Sequence, residues 1–250
     1  MSLARFILPD PCLACARPVP PSAGPHLGLC PPCRGRMREL SAVAFCPGCG
    51  RVFEAVSLHP GFLCSGCRAR PPAFDGLLAA FAYAPPFDSV IRSLKFRRLE
   101  YLGEALAAEL FRRFEDALRA HDLVIAVPLH WRRRLTRGFN QAEAIARPLA
   151  IQAGLETATA LRRRRATVSQ AGLPREQRLR NPRRAFLAAG ALRQARVLLV
   201  DDVVTTGATV NAAATALKEA GAASVTVLAA ARTLEETGTG GGPSPGHCRR

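Results

Sequence analysis

"VLLVDDVVTTGATV", residues 197–210, runs four apolar residues into two adjacent aspartates and then into a loop with almost no bulk. An apolar run without polar alternation reads as a strand buried on both faces, the kind found in a parallel sheet covered by helices. In such sheets ligands bind beyond the carboxyl ends of the strands. Asp201 and Asp202 fall at that end, where two neighbouring carboxylates can accept hydrogen bonds from adjacent sugar hydroxyls. Thr205, Thr206, Gly207, Ala208 and Thr209 then lead into a helix. Small residues keep this loop thin, so backbone N–H groups can point at an anion. The threonine hydroxyls add donors and the helix N-terminus adds partial positive charge. One loop therefore suits a vicinal diol and a phosphate, about one ribose apart. It is not a Walker loop, because the glycine spacing and the Gly-Lys-Ser/Thr ending are missing. A metal-binding or merely buried acidic pair beside an ordinary helix cap is the other reading of the same residues.

Working outward, "LLAAFAYA" (77–84), "LVIAVPL" (123–129), "ARVLLVDD" (195–202) and "SVTVLAAA" (224–231) read as strands. Between them, "PFDSVIRSLKF", with Pro86 at its start, and the stretch around 101–120 have helical spacing. So do "NQAEAIARPLAIQAG", which closes at Gly154, and "ATVNAAATALKEAG", which closes at Gly221. The alternation predicts an α/β domain with helices on both faces of a parallel sheet. A Pro-rich boundary, "RARPPAFDG" at 68–76, precedes it. The reading divides the chain into a region at 1–72, the α/β domain at 73–234, and a Gly/Pro-rich tail at 235–250 expected to be disordered.

The first region carries an internal repeat. Eight of the nine cysteines form C-x-x-C pairs, and C-x2-C-x14-C-x2-C occurs twice at an offset of 34 residues. Two cysteines on a tight turn aim both sulfurs at one ion, and a second such turn completes a tetrahedron. Cys12, Cys15, Cys30 and Cys33 are read around one zinc ion, and Cys46, Cys49, Cys64 and Cys67 around another. Four thiolates leave no open coordination position, so both sites would be structural. Redox pairs and an interleaved cross-brace are the competing readings. Cys248, alone in the tail, is expected to be an unpaired thiol.

The formal net charge is +16, and 14 arginines against 3 acids between 132 and 184 place +11 of it in one segment. Such a field favours a polyanionic partner, either nucleic acid or a phosphate-rich metabolite. A compositional bias explains why 33 of 35 basic residues are arginine, but not why they cluster. "RRRR" at 162–165 reads as a solvated edge. "MSLARFILPDPC" has only a short apolar core, so no secretory leader is expected, and no stretch has the length of a membrane span. A cytoplasmic protein with reduced thiols is expected.

The apolar run, the two acids, two further apolar residues and T-T-G-A-T resemble the phosphoribosyl-pyrophosphate (PRPP) motif of type I phosphoribosyltransferases. "VPLHWRRRLTRGFNQAEAIA" (127–146), "LKF" (94–96) and "SQAGLPREQRLRNPRRAF" (169–186) narrow the likeness to the ComF competence family. The resemblance covers residues 10–233. It implies a type I phosphoribosyltransferase fold preceded by a small double zinc-ribbon region, and a role in DNA uptake during natural transformation. By position, it implies that Asp201 and Asp202 bind the ribose hydroxyls and that Thr205, Thr206, Gly207, Ala208 and Thr209 wrap the 5′-phosphate. It assigns pyrophosphate to Lys95, Leu129, His130, Arg137 and Asn140, and puts Gln170, Arg175, Arg178 and Asn181 in a mobile loop. Magnesium would accompany PRPP.

The residues leave activity and the catalytic group open. Hypoxanthine-type enzymes place an Asp where this loop has Thr205, and an aromatic hood residue downstream, whereas no aromatic follows Phe186. Orotate-type enzymes use a mobile-loop lysine where this chain has arginines. Single-stranded DNA stacking on Trp131, Phe139 or Phe186, and docking to an uptake helicase or another competence protein, are the implied partnerships. A nucleobase phosphoribosyltransferase of nucleotide salvage, with no DNA role, is the alternative. Lys95 has its own two readings: a point charge for a phosphate, or an ion pair on a helix surface.

Overall fold

The structure, a computed structural model, describes residues 10–19, 27–40, 45–53, 62–97, 99–129, 138–163 and 185–234. Chain order gives α1 (Pro31–Arg34), α2 (Ser65–Ala69), β1 (Gly76–Ala82), α3 (Phe87–Phe96), α4 (Tyr101–Leu118), β2 (Leu123–Ala126) and α5 (Gln141–Ala153). There follow β3 (Glu156–Thr157), β4 (Leu161–Arg163), β5 (Phe186–Ala188), β6 (Arg196–Val204), α6 (Ala208–Glu219) and β7 (Ser224–Arg232).

Five strands form a parallel sheet in the order β1-β7-β6-β2-β3. Strand β6 lies at its centre, and its residues alternate between two cores. Leu198 and Val200 pack with α3, α4 and α5 on one face; Val197 and Leu199 pack with α6 on the other. That two-sided burial is why the run at 197–200 is apolar at every position. Helix α3 buries Phe87, Val90, Ile91 and Leu94, a single stripe at helical spacing. Helix α5 ends where expected, at Gly154 in the left-handed conformation (φ 66°).

From β2 the chain moves through α5 to β3 on one side; from β6 it moves through α6 to β7 on the other. The strand order thus reverses between β2 and β6, and the crevice outside their carboxyl ends is where an open sheet binds ligands. Two details depart from the sequence reading. Strand β6 continues two residues past the acids, because Val203 and Val204 pair with Ala231 and Arg232 of β7. Strands β4 and β5 form a separate antiparallel pair, Leu161 opposite Ala188 and Arg163 opposite Phe186.

The outer edge of β1 is covered. Leu40 N–H donates to Ala80 O and Ala82 N–H donates to Arg38 O, both at 2.9 Å, so residues 38–40 run antiparallel beside the strand. An edge strand with its polar groups occupied offers no template for association.

Candidate functional site

The crevice between β2 and β6 opens into a pocket of about 310 Å³. Asp201 and Asp202 enter it from β6. Asp202 is buried, and the Lys95 ammonium, from the last turn of α3, lies 2.7 Å from its Oδ2. Neither reading of Lys95 anticipated this: the ion pair is made, but inside the pocket and across two elements. The half-buried Asp201 accepts the Asp202 N–H at 2.8 Å. Burial and the adjacent Asp202 carboxylate push the Asp201 carboxyl up to about 8, against the pull of that N–H and of Lys95. Two carboxylates at one strand end thus divide their roles. Asp202 pairs with the lysine, and Asp201 is the one whose negative charge the site opposes.

The loop that follows turns at Gly207, whose φ of 80° starts α6. A Cβ there would meet nothing within 4 Å, so glycine is needed for the left-handed backbone and not for room. No side chain caps α6 at Gly207; Thr206 Oγ1 accepts only a long bond, 3.4 Å, from Ala208 N–H. Thr205 and Thr209 line the pocket, while Thr205, Thr206, Ala208 and Thr209 are exposed. An uncapped first turn at the end of a 12-residue helix presents N–H donors and partial positive charge.

The opposite wall is Val127, Pro128 and Leu129 after β2, and Asn140, Gln141 and Ala142 at the start of α5. Asn140 uses both ends of its amide on the backbone: Oδ1 accepts from Ala142 N–H at 3.2 Å, and Nδ2 donates to Val127 O at 3.1 Å. It is the N-cap of α5 and ties that helix to β2. Two helix N-termini, α5 and α6, therefore converge on one pocket. Tyr83, beyond β1, and Arg163, from β4, complete the wall. The Arg163 guanidinium carbon lies 5.3 Å from the centre of the Phe186 ring. This corrects the reading of a solvated edge at Arg163: Arg162 is exposed, but Arg163, on the opposite face of a two-stranded ribbon, turns inward, while Arg164 and Arg165 lie outside the described residues. Tyr83 and Arg163 were not singled out from the sequence, and a strand of three residues is too short for its alternation to have marked the arginine. His130, Trp131, Arg137, Gln170, Arg175, Arg178 and Asn181 lie outside the described residues.

The eight cysteines form the two groups read from the repeat, with all sulfurs of a group within 4.8 Å of one another. Thiolates about 2.3 Å from one zinc ion stand about 3.8 Å apart. The Cys15–Cys30 and Cys49–Cys64 sulfurs are separated by 3.6 and 3.7 Å, far beyond a disulfide bond. Backbone N–H groups point at the sulfurs as well: Cys30 N–H to Cys12 at 3.3 Å, and Cys64 N–H to Cys46 at 3.4 Å. Burial opposes ionisation of Cys12 and Cys46, but these donors outweigh it and bring them down to about 6 and about 7. Burial and the neighbouring sulfurs push Cys33 and Cys67 up instead. The donor set and its spacing fit a tetrahedral four-thiolate ion, so both groups could hold zinc.

Among the described residues, no helix is long and apolar enough to cross a membrane. Residues 103–239 match the phosphoribosyl transferase domain family. The DNA utilization protein YhgH of Salmonella typhimurium is 35% identical over 87% of this chain and 95% of its own length. Competence protein F of Haemophilus influenzae is 29% identical over 76% of this chain and 85% of its own. Among solved structures, the glutamine PRPP amidotransferase of B. subtilis complexed with ADP and GMP matches 51% of this chain and 25% of that one. The identity there is 27% and the TM-score 0.38. With a phosphoribosyl transferase domain behind two cysteine groups, and relatives matched along nearly their whole length, the chain belongs to the ComF family.

Proposed function

We propose that the protein binds PRPP between β2 and β6 and acts in the uptake or use of external DNA, with single-stranded DNA along its basic segment. One observation carries the reading. The acid pair of β6, the uncapped N-terminus of α6 and the Lys95 ammonium face a single pocket at the reversal of strand order. Asp201 and Asp202 accept hydrogen bonds from the ribose hydroxyls. Thr205, Thr206, Gly207, Ala208 and Thr209 surround the 5′-phosphate with hydroxyl and backbone donors. Lys95, released from Asp202 as the ribose engages, turns to the pyrophosphate, beside Leu129, His130 and Arg137 and with Arg163 added to that set. Asn140, which the resemblance assigns to pyrophosphate, has both ends of its amide on the backbone and serves instead by holding the β2–α5 connection in place. Gln170, Arg175, Arg178 and Asn181 belong to the segment that covers the ligand. Magnesium, bound with PRPP, neutralises pyrophosphate charge. The DNA role is supported by the names of the relatives, "DNA utilization protein" and "Competence protein F", and by the charge of the segment at 132–184.

A nucleobase phosphoribosyltransferase without a DNA role is the second reading, favoured by Tyr83, an aromatic ring on the pocket wall. The deciding experiment is calorimetric titration with Mg-PRPP, followed by a pyrophosphate-release assay over a nucleobase panel and single-stranded DNA. The Asp201→Ala, Asp202→Ala double variant is the blank. PRPP binding at least a hundredfold weaker in the blank is expected. Release tied to one base supports the second reading, and absence of PRPP binding to the wild-type chain overturns both.

A further inference from the structure

The two cysteine groups have the same spacing and different neighbours. We propose that the first group, and not the second, sets the geometry of the ligand pocket, by holding α3 and with it the Lys95 ammonium against Asp202. The inference rests on the pocket being a ligand site, but the tether itself is a property of the protein alone.

Cys12, Cys30 and Cys33 lie in the same core as Val90, Ile91 and Leu94 of α3, a core that also holds Leu29 and Met37. Cys46, Cys64 and Cys67 form a small cluster of their own with Cys49, Phe53 and Leu63. The second group meets the sheet where Gly50 lies against the Leu77 and Arg232 side chains. From Cys67 the backbone runs through residues 68–75 into Gly76, the first residue of β1, whereas the first group is continued along that strand to its far end. A few residues after Cys33 the chain becomes the segment hydrogen-bonded along β1 through Ala80 and Ala82. Glu39 within that segment holds the Arg113 guanidinium through two bonds of 2.6 and 2.8 Å, and Arg113 is only 7% exposed. The guanidinium carbon lies 4.6 Å from the centre of the Phe81 ring. Phe81 in turn stacks on Phe87 with centroids 4.4 Å apart, and Phe87, fully buried, is the first residue of α3. In the last turn, at the other end of that ten-residue helix, is Lys95, 2.7 Å from Asp202.

A helix is a stiff rod, so the position of its last turn follows from what fixes its first. Packed cores transmit displacement instead of absorbing it. With the first group ordered around an ion, residues 37–40 stay on the edge of β1, Phe81 keeps its partner, and α3 presents Lys95 at ion-pair distance. With that group opened, the edge segment loses its anchor and α3 is free to shift. The second group enters the sheet at the other end of β1, at Gly76 and Leu77, and among the described residues its cluster shares no core with α3.

The test uses the full chain and removes the most accessible ligand of each group. Cys15 is exposed and Cys49 half-buried, so Cys15→Ser and Cys49→Ser disturb ion binding more than packing. Hydrogen exchange of the α3 amides, zinc content, and binding of inorganic pyrophosphate with magnesium are measured. Each variant is expected to lose one of two zinc ions. Exchange in α3 rises tenfold or more, and pyrophosphate binding weakens tenfold or more, in Cys15→Ser; both stay within twofold of wild type in Cys49→Ser. Equal α3 exchange in the two variants, or unchanged exchange in Cys15→Ser, overturns the inference. Should Cys15→Ser fail to fold, Phe81→Leu, which keeps every cysteine, reads the same tether: faster α3 exchange supports it and unchanged exchange overturns it. Exchange needs no ligand, so a protein that binds neither pyrophosphate nor PRPP refutes the pocket reading and still reports on the tether.

Discussion

Asp201 concentrates the electrostatics of the pocket in one group. Its carboxyl is pushed up to about 8, while an unfolded chain restores it to the usual carboxylate range near 4. The folded protein therefore holds a proton between those values that the unfolded chain releases. By linkage, stability falls as pH rises wherever the native state binds more protons. The contribution is complete below about pH 4 and is lost as pH climbs through about 8. Asp201→Asn removes the titration and keeps the shape. Its advantage over wild type is expected to grow between pH 5 and pH 9, by about 1.4 kcal/mol for each tenfold change in acidity constant that survives partial solvation. Urea unfolding of both proteins at three pH values measures this, and comparing the two cancels proton release by the cysteines. Parallel curves would mean that Lys95 and solvent neutralise Asp201 as effectively as a proton. Both aspartates were legible in the sequence because two charges at the end of an apolar run need a partner. Lys95 as that partner was not, since it lies 107 positions upstream (202 − 95) on an element whose crossing over the sheet no local pattern encodes.

Elements of this fold were readable in proportion to how much of their burial is their own. Strand β6 and helix α6 announce themselves through an unbroken apolar run and a small-residue helix, and α5 through its Asn140 and Gly154 ends. Strands β3, β4 and β5 have two or three residues each and exist because of what they pair with. No window that short has a period, so Arg163 was invisible as a pocket residue. The contact between α4 and α5 is a similar case, seen only once both helices are in place. A Cβ on Gly103 of α4 would lie 2.6 Å from the Ala144 carbonyl oxygen and 2.9 Å from the Ala144 Cβ in α5. Backbone cannot yield as a side-chain tip does, so Gly103→Ala must separate the helices. A cost of about 1–3 kcal/mol is expected, the range for overpacking a close-packed interior. Because α5 begins at Asn140 on the pocket wall, ligand affinity is expected to fall along with the urea midpoint. A midpoint within error of wild type would show that the helices can part without penalty.

At the scale of the molecule, two features act over distance: the anchoring of the first cysteine group to the sheet edge, and the charge. The repeat made the cysteine groups legible, but not their unequal attachment, because the Glu39–Arg113 contact joins residues 74 positions apart. Charge needs no such geometry, since fields sum over the whole surface. The segment at 132–184 holds +11, and within its described part Arg147 on α5 and Arg162 on β4 are exposed and outside the pocket lining. If that segment tracks a single strand of DNA, each phosphate it neutralises releases counterions and lowers the slope of log affinity against log salt by about 0.7. Engaging roughly five phosphates would cost on the order of a hundredfold in affinity between 50 and 200 mM salt. Arg147→Glu and Arg162→Glu are each expected to make the slope shallower by about 0.7 and to leave PRPP affinity within twofold. Fluorescence anisotropy with a labelled oligonucleotide over a salt series measures both. A flat series, in protein that binds PRPP normally, would remove DNA from the proposed function and leave the salvage transferase as the reading that fits Tyr83 and the pocket.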